Sequence, residues 1–468
     1  MDDLLRVENL SFTYKSWSEA PGKQVLSHLM LNVHEKEKVL LLAPFDAGKS
    51  TFARILSGLC PKYLSGTLEG SVTIGDVDVT KSEPWNLVES VGYVSQNPQE
   101  QFVASSVEDE LAFPLESLGV SRDEMETRIS AVLKKWGLSS LSSVSESELS
   151  GGERKRVLLA LTEMLDPKLW VLDESFDDLD VSWRELLRET IRESGRGILV
   201  LASRYLSQFD GLFDRQVMLE NGMIVEGGEK AFAHLSGDDL LSSLPPSPVS
   251  SSHTVEATGI TVARIRIGDM EKRRFELSIP SFALRGGERL TLVGANGSGK
   301  STFARLACGL DLPSGGSFSL DGKEATPTML QRNVGYLFQN PDLQIFLPTV
   351  REELSWSLDR DKRISKAEKE RRVKECADLF GLCLNDTPTT MSYPERKALQ
   401  AAVYYLLDRP FYILDELDNA LTYAKAQMIV RLLQKNGSGL LIITHDREFA
   451  ALVAEKGFAI QEGRLIAL

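Results

Sequence analysis

Gly294-Ala295-Asn296-Gly297-Ser298-Gly299-Lys300-Ser301-Thr302 decides the fold. The run Arg289-Leu290-Thr291-Leu292-Val293 before it reads as a buried strand, and Phe303-Ala304-Arg305-Leu306-Ala307-Cys308-Gly309 after it reads as the opening of a helix. This is G-x-x-x-x-G-K-[ST] in the strand–loop–helix setting that a phosphate cradle requires. Its glycines let backbone N–H groups converge on an anion, and the helix behind adds its positive N-terminus. Lys300 is expected to reach β- and γ-phosphates, and Ser301 to ligate Mg²⁺.

A second, altered loop lies upstream: Ala43-Pro44-Phe45-Asp46-Ala47-Gly48-Lys49-Ser50-Thr51, after the strand Lys38-Val39-Leu40-Leu41-Leu42. Its continuation Ser50-Thr51-Phe52-Ala53-Arg54 matches Ser301-Thr302-Phe303-Ala304-Arg305 letter for letter. Other segments repeat in the same order. Gln96 and Gln339, each followed by Asn-Pro, lie 243 residues apart. Ser150 and Ser392 lie 242 apart, as do Asp173 and Asp415 in Val171-Leu172-Asp173-Glu174 and Ile413-Leu414-Asp415-Glu416. The lysines lie 251 apart, so the first copy carries about nine extra residues, placed around 60–66. The chain is a tandem repeat.

The 468 residues suffice for two or three domains with full cores. The expected boundaries are residues 1–236 and 258–468, joined by a linker at 237–257 whose Pro/Ser content favours extended chain. Each copy alternates short apolar strands with helical segments, the pattern of an α/β fold with a mainly parallel sheet. Residues 107–141 and 350–382 read instead as inserted helical subdomains, and the charged run Arg360 to Lys374 as a solvated helix face. The net charge of −14 disfavours nucleic acid as a partner. No apolar run reaches membrane-span length, and the N-terminus lacks a signal-peptide layout. Cysteines at 60, 308, 376 and 383 form no C-x-x-C pair, which argues against a disulfide framework, a zinc ribbon or an iron–sulfur cluster.

The two strand-end carboxylate pairs fall 124 residues after Lys49 and 115 after Lys300. In each, the first carboxylate (Asp173, Asp415) suits Mg²⁺ at the C-terminal edge of a parallel sheet. The second (Glu174, Glu416) suits polarising an attacking water. Gln96 and Gln339 follow strands and can touch Mg²⁺ or water as well as the helical subdomain. His445 ends the strand Ile442-Ile443-Thr444, where it can hydrogen-bond a γ-phosphate. Tyr14 either stacks an adenine ring or packs as an ordinary strand tyrosine.

Together these residues resemble the ATP-binding-cassette (ABC) ATPases in a tandem fused form. Leu149-Ser150-Gly151-Gly152-Glu153 is the family's signature, and phosphate loop, glutamine loop, signature, strand-end carboxylates and histidine occur in the family's order. The resemblance implies two P-loop nucleotide-binding domains, each with a RecA-like parallel-sheet core, an antiparallel β-subdomain and an inserted α-helical subdomain. It also implies ATP and Mg²⁺ as ligands, and head-to-tail pairing of the two cassettes, so that each ATP lies between one phosphate loop and the other cassette's signature. The ATP-binding set is then Asn296 to Thr302, Phe45 to Thr51, Tyr14 and Ser150 to Glu153. The metal set is Ser301, Gln339 and Asp415, with Ser50, Gln96 and Asp173 in the weaker site. The catalytic set is Glu416, His445 and Gln339, with Glu174.

The departures from the family pattern are uneven. Ala43 and Ala47 stand where phosphate-loop glycines are expected, at a cost of about 1 kcal/mol or more if φ must be positive. Ser203 stands where His445 does, and Tyr393-Pro394 replaces Gly151-Gly152. Proline removes a donor and tyrosine adds bulk. Thr422 aligns with Asp180, and no tyrosine matches Tyr14. Crossed pairing collects most defects in the site of Lys49 and leaves Lys300, Gln339, Glu416, His445 and Ser150-Gly151-Gly152 together.

Gln96-Asn97-Pro98-Gln99-Glu100-Gln101-Phe102 and Gln339-Asn340-Pro341-Asp342-Leu343-Gln344-Ile345-Phe346 look like the extended glutamine loop of energy-coupling-factor ATPases. Those ATPases drive import of vitamins or of cobalt and nickel ions, peripheral to the cytoplasmic face of the membrane. They work with a transmembrane subunit and a substrate-capturing membrane subunit. Phe102 and Phe346 then border grooves for the transmembrane subunit, or else belong to the subdomain cores. The alternative is a soluble tandem ATPase acting on ribosomes or as a regulator.

Overall fold

The structure is a computed structural model that describes residues 3–15, 22–44, 47–236, 241–247, 251–265, 274–295, 297–359, 364–419, 421–454 and 456–468. The chain forms two compact units, Met1–Asp239 and Leu240–Leu468.

In the first unit the central sheet runs, in spatial order, Met223–Glu226, Arg215–Glu220, Lys38–Leu42, Gly197–Ala202, Leu169–Asp173, Val91–Val94. All neighbours are parallel except the hairpin 215–226. Strands buried on both faces read as unbroken apolar runs, which explains Val39-Leu40-Leu41-Leu42. Leu40 and Leu42 pack with Trp136 of the helical subdomain, while Val39 and Leu41 pack with Phe52 and the antiparallel strands. Those strands, Gln24–His34, Asp3–Tyr14, Gly66–Ile74 and Val77–Asp78, form a separate sheet. The second unit repeats the plan. Its parallel core Lys456–Gln461, Arg289–Val293, Gly439–Ile443, Phe411–Asp415, Val334–Leu337 joins its antiparallel part through Arg464–Ala467 into one ten-stranded sheet.

The bulge glycines Gly70 and Gly316 mark the same place in both copies, because a Cβ at either would strike a backbone oxygen within 2.4 Å. Gly70 lies 21 residues past Lys49 and Gly316 lies 16 past Lys300, so the expected insertion around 60–66 is only part of the added length. The rest falls between the bulge and the glutamine.

The helical subdomains comprise Val107–Ser117 and Arg122–Lys135, and Val350–Asp359 and Lys366–Phe380. Within the charged run, Glu368 pairs with Arg371 and Arg372 on an exposed face, as a solvated helix face requires; residues 360–363 lie outside the described residues. Cys60, Cys308 and Cys376 are buried and Cys383 is exposed; all four are free thiols. Part of the stretch read as linker is docked on the second unit. Leu244 is buried in its core, the Leu244 N–H donates to Leu452 O at 2.8 Å, and Arg289 donates to the carbonyls of Leu244 and Pro245. The strand Thr254–Ile265 begins inside that stretch.

Candidate functional site

Both phosphate loops leave a central parallel strand and enter a helix, Lys49–Leu56 and Lys300–Ala307. The glycine before each lysine is left-handed, with φ of 101° at Gly48 and 113° at Gly299, and caps the helix. Only glycine adopts this without strain. Lys49 Nζ donates to the carbonyls of Ala43 (3.0 Å) and Pro44 (3.1 Å), and Lys300 Nζ to those of Gly294 (2.8 Å) and Ala295 (3.0 Å). Both ammonium groups are thus folded back along the concave face of their loop. Asn296, Phe45 and Asp46 lie outside the described residues.

The loops correct one expectation. Ala43 aligns with Gly294, but Ala47 aligns with Ser298; the second lost glycine is at Asp46, opposite Gly297. Ala43 and Ala47 both keep negative φ, so neither carries the backbone strain expected of it. Gly294 has its own reason: a Cβ there would lie 2.6 Å from Ile460 O.

Beside each lysine the strands Leu169–Asp173 and Phe411–Asp415 end in their carboxylates. Ser50 stands beside Asp173 and Ser301 beside Asp415, and each serine works to lower the pKa of its aspartate. Burial raises the pKa of both aspartates. Tyr336 Oη donates to Asp415 Oδ2 at 2.6 Å, and Tyr93 Oη to Asp173 Oδ2 at 3.5 Å. Asp173 Oδ1 is buried without a hydrogen bond. A serine hydroxyl beside a buried carboxylate with an unused oxygen fits Mg²⁺, which takes one or two protein ligands and completes its shell with phosphate and water.

The next residue, Glu174 or Glu416, has φ of 48° in both cassettes. This strained geometry turns each side chain back over the sheet edge toward its lysine. There the cassettes diverge. Glu416 accepts from Gln339 Nε2 at 2.7 Å and lies 3.4 Å from His445 Nδ1. Burial works to raise its pKa, but the hydrogen bond and charge of His445 together with Lys300 and Lys397 outweigh it and hold the carboxyl at about 2. Glu174 instead accepts from the Ser203 N–H at 3.1 Å and from the Ser203 hydroxyl. Burial, with repulsion from Asp177 and Asp173, pushes it to about 7 in spite of Lys49 at 3.6 Å. Gln96 is brought to this corner by its carbonyl, which accepts from Lys155 Nζ at 3.1 Å.

The signature helices Gly151–Leu165 and Tyr393–Leu407 are both capped by serine with a reciprocal Glu153 or Glu395. The replacement Tyr393-Pro394 therefore leaves the helix intact, since proline at the second position breaks no intrahelical bond. What it removes is a free N–H that Gly152 still offers to an anion. Asp180 and Thr422 each cap the helix that follows its carboxylate strand. Tyr14 Oη meets Thr51 Oγ1 at 3.0 Å, and its ring packs edge-on against Phe12 at 4.9 Å, so the tyrosine lies beside the phosphate loop while belonging to the strand core.

Several site residues carry no family motif. Lys155 and Lys397, near the start of the signature helices, are buried. Lys155 donates to Ser95 O and Gln96 O, and Lys397 to Phe338 O and Glu416 O. The sequence signal was a lysine repeated at a position whose helical neighbours are apolar. Gln101 and Gln344 each close the glutamine loop, bonding an N–H and a C=O of the strand end. Glu110 and Glu353, also buried, accept two N–H groups each from the segment beyond. That segment presents Phe346, 67% exposed, whereas Phe102 packs against its subdomain core and Val103, 72% exposed, takes the outer place.

Similarity to known proteins agrees with this geometry. The profile of the ABC transporter family matches residues 26–177 and 277–419. A putative ABC transporter ATP-binding protein of Treponema denticola is 26% identical, over 99% of this chain and 96% of its own. The putative HMP/thiamine import ATP-binding protein YkoD of Bacillus subtilis is 30% identical over 98% and 90%. The crystal structure of a complex of archaeal ribosomal stalk protein aP1 and archaeal ribosome recycling factor aABCE1 shares the fold, with a TM-score of 0.64 at 20% identity, over 97% of this chain and 89% of that one. Two phosphate loops, each with its serine–aspartate pair and a lysine-facing glutamate, on a chain matched twice by one profile, make this protein a tandem ATPase of the ABC transporter family, with ATP and Mg²⁺ as its ligands.

Proposed function

We propose that the chain powers an importer of the energy-coupling-factor type, at the cytoplasmic face of a membrane, together with a transmembrane subunit and a substrate-capturing subunit. The observation that carries this reading is the alignment over 98% of the chain with a relative named for HMP/thiamine import. The exposed apolar side chains beyond the glutamine loops support it, because Leu343, Phe346 and Trp356 in one cassette and Val103 and Phe113 in the other suit apolar helices of a membrane partner. No helix among the described residues is long and apolar enough to cross a membrane. Likeness to a ribosome recycling factor at 20% identity concerns the fold alone.

Lys300, Glu416, Gln339 and His445 make up the faster site. Glu416, ionised and hydrogen-bonded to Gln339, orients and polarises the attacking water, and Lys300 holds the β- and γ-phosphates. Mg²⁺ would be held by Ser301, Asp415 and Gln339 and would supply charge neutralisation of the phosphates. The Lys49 site, with Glu174 protonated over much of the neutral range, binds ATP and turns it over slowly.

Tagged chain captured from detergent-solubilised membranes of its own cells tests the role. Co-purification of integral membrane subunits is expected; recovery with ribosomes instead would overturn it.

A further inference from the structure

Where the first cassette has Gly151, the second places Tyr393 at the start of its signature helix. Tyr393 is not merely an obstruction to phosphate. Its hydroxyl donates to Gln339 O at 2.8 Å. Gln339 in turn donates through Nε2 to Glu416 Oε2 at 2.7 Å. Tyr393, Gln339 and Glu416 therefore form a chain of two hydrogen bonds from the altered signature to the carboxylate of the same cassette.

Other groups on that helix brace the link. Gln400 Nε2 donates to Phe338 O at 3.2 Å, and Lys397 reaches both Phe338 O (3.4 Å) and Glu416 O (3.3 Å). Arg396 lies over the Tyr393 ring, 5.7 Å from its centroid, and pairs with Asp342 of the glutamine loop at 2.8 Å. The first cassette is wired otherwise. Its glycine has no side chain, its Arg154 pairs with Glu146, and the neutral Gln99 stands at the place of Asp342.

We propose that Tyr393 is a positioning residue for ATP hydrolysis in the second cassette. It pins the glutamine-loop backbone so that the amide of Gln339, an exposed residue with three free side-chain torsions, stays on Glu416. The substitution that spoils one cassette's signature thus serves the carboxylate of its own cassette. This rests on the reading that Glu416 drives hydrolysis.

The test is steady-state ATPase kinetics of the purified full chain at saturating Mg²⁺, with Tyr393→Phe, Tyr393→Gly, Asp342→Asn and Glu416→Gln. Tyr393→Phe deletes only the hydroxyl. It is expected to lower kcat about threefold to tenfold, the effect of one neutral hydrogen bond, with KM for ATP within about twofold. Tyr393→Gly, which rebuilds the first cassette's residue, is expected to lower kcat at least as far. Asp342→Asn acts in the same direction, and its effect combined with Tyr393→Phe falls short of the product of the two, because both act on one loop. Unchanged kcat in Tyr393→Phe, a rise in Tyr393→Gly, or a change in KM alone overturns the proposal. If Glu416→Gln itself leaves turnover intact, the reading beneath fails instead.

Discussion

The two buried glutamates give the two cassettes different pH responses, and Glu416→Gln exposes the difference. That variant leaves hydrolysis to the cassette of Glu174. Burial is the largest influence on Glu174, and with Asp177 and Asp173 nearby its carboxyl is pushed up to about 7. A base must be ionised to accept a proton. With a value near 7, about one-tenth of Glu174 is ionised at pH 6 and about nine-tenths at pH 8. The residual rate of Glu416→Gln should therefore climb about tenfold between those pH values. The converse variant, Glu174→Gln, leaves Glu416 at about 2, ionised throughout this range, so its rate should stay within about twofold. Phosphate release at saturating Mg²⁺ and ATP, in buffers of constant ionic strength, measures both. Protonation of ATP itself affects the two variants alike and cancels in their ratio. Two superimposable pH profiles would refute the argument, since they would mean that the surroundings of the two glutamates do not set their ionisation apart.

Linkage gives a stability counterpart. Glu174 binds its proton more tightly folded than unfolded, so its contribution to stability falls as pH rises from about 4.5 to about 7. Glu174→Gln should then raise the thermal midpoint more at pH 8 than at pH 5, by a free-energy difference of at most about 3 kcal/mol, read by calorimetry. Gly294→Ala should destabilise the second cassette and abolish its ATP binding, because the added Cβ meets Ile460 O at 2.6 Å; nucleotide titration after melting analysis separates the two effects. Phe346→Ser should change the midpoint little, the side chain being mostly exposed, yet reduce recovery of membrane subunits in the capture assay.

The repeat was legible because each motif fixes a backbone event: a strand that must be buried on both faces, a glycine that must be left-handed, a serine that must cap. Those requirements act within a few residues, and Lys38–Leu42, Gly48, Gly299, Ser150 and Ser392 meet them in the structure. What was not legible depended on partners far along the chain. Nothing local to Lys397 indicates that its ammonium ends on Phe338 O, 59 residues away. Leu244 sits in a Pro/Ser-rich run whose composition says extended chain, and only the apolar surface near Leu452 makes it core. The pair Phe102 and Val103 shows the same limit, since either could face outward until Glu110 fixes the N–H groups of residues 103 and 104.

These long-range partners are also where the two cassettes part. Backbone geometry at the carboxylates is the same, with φ of 48° at both Glu174 and Glu416. The side chain that meets the carboxylate differs, a serine clamp in one case and a histidine with a glutamine in the other. The Ser203 hydrogen bond works to lower Glu174 but does not offset burial and the neighbouring aspartates, whereas His445 and two lysines outweigh burial at Glu416. Asymmetry therefore does not require the fold of either cassette to change. It follows from the groups that meet each glutamate, residue 203 being serine where the second cassette has His445, and residue 177 being an aspartate where it has Asn419. Ser203→His in the first cassette is accordingly expected to lower the pKa of Glu174 and flatten the pH profile of Glu416→Gln. A profile that stays steep would place the cause in Asp173 and Asp177 instead.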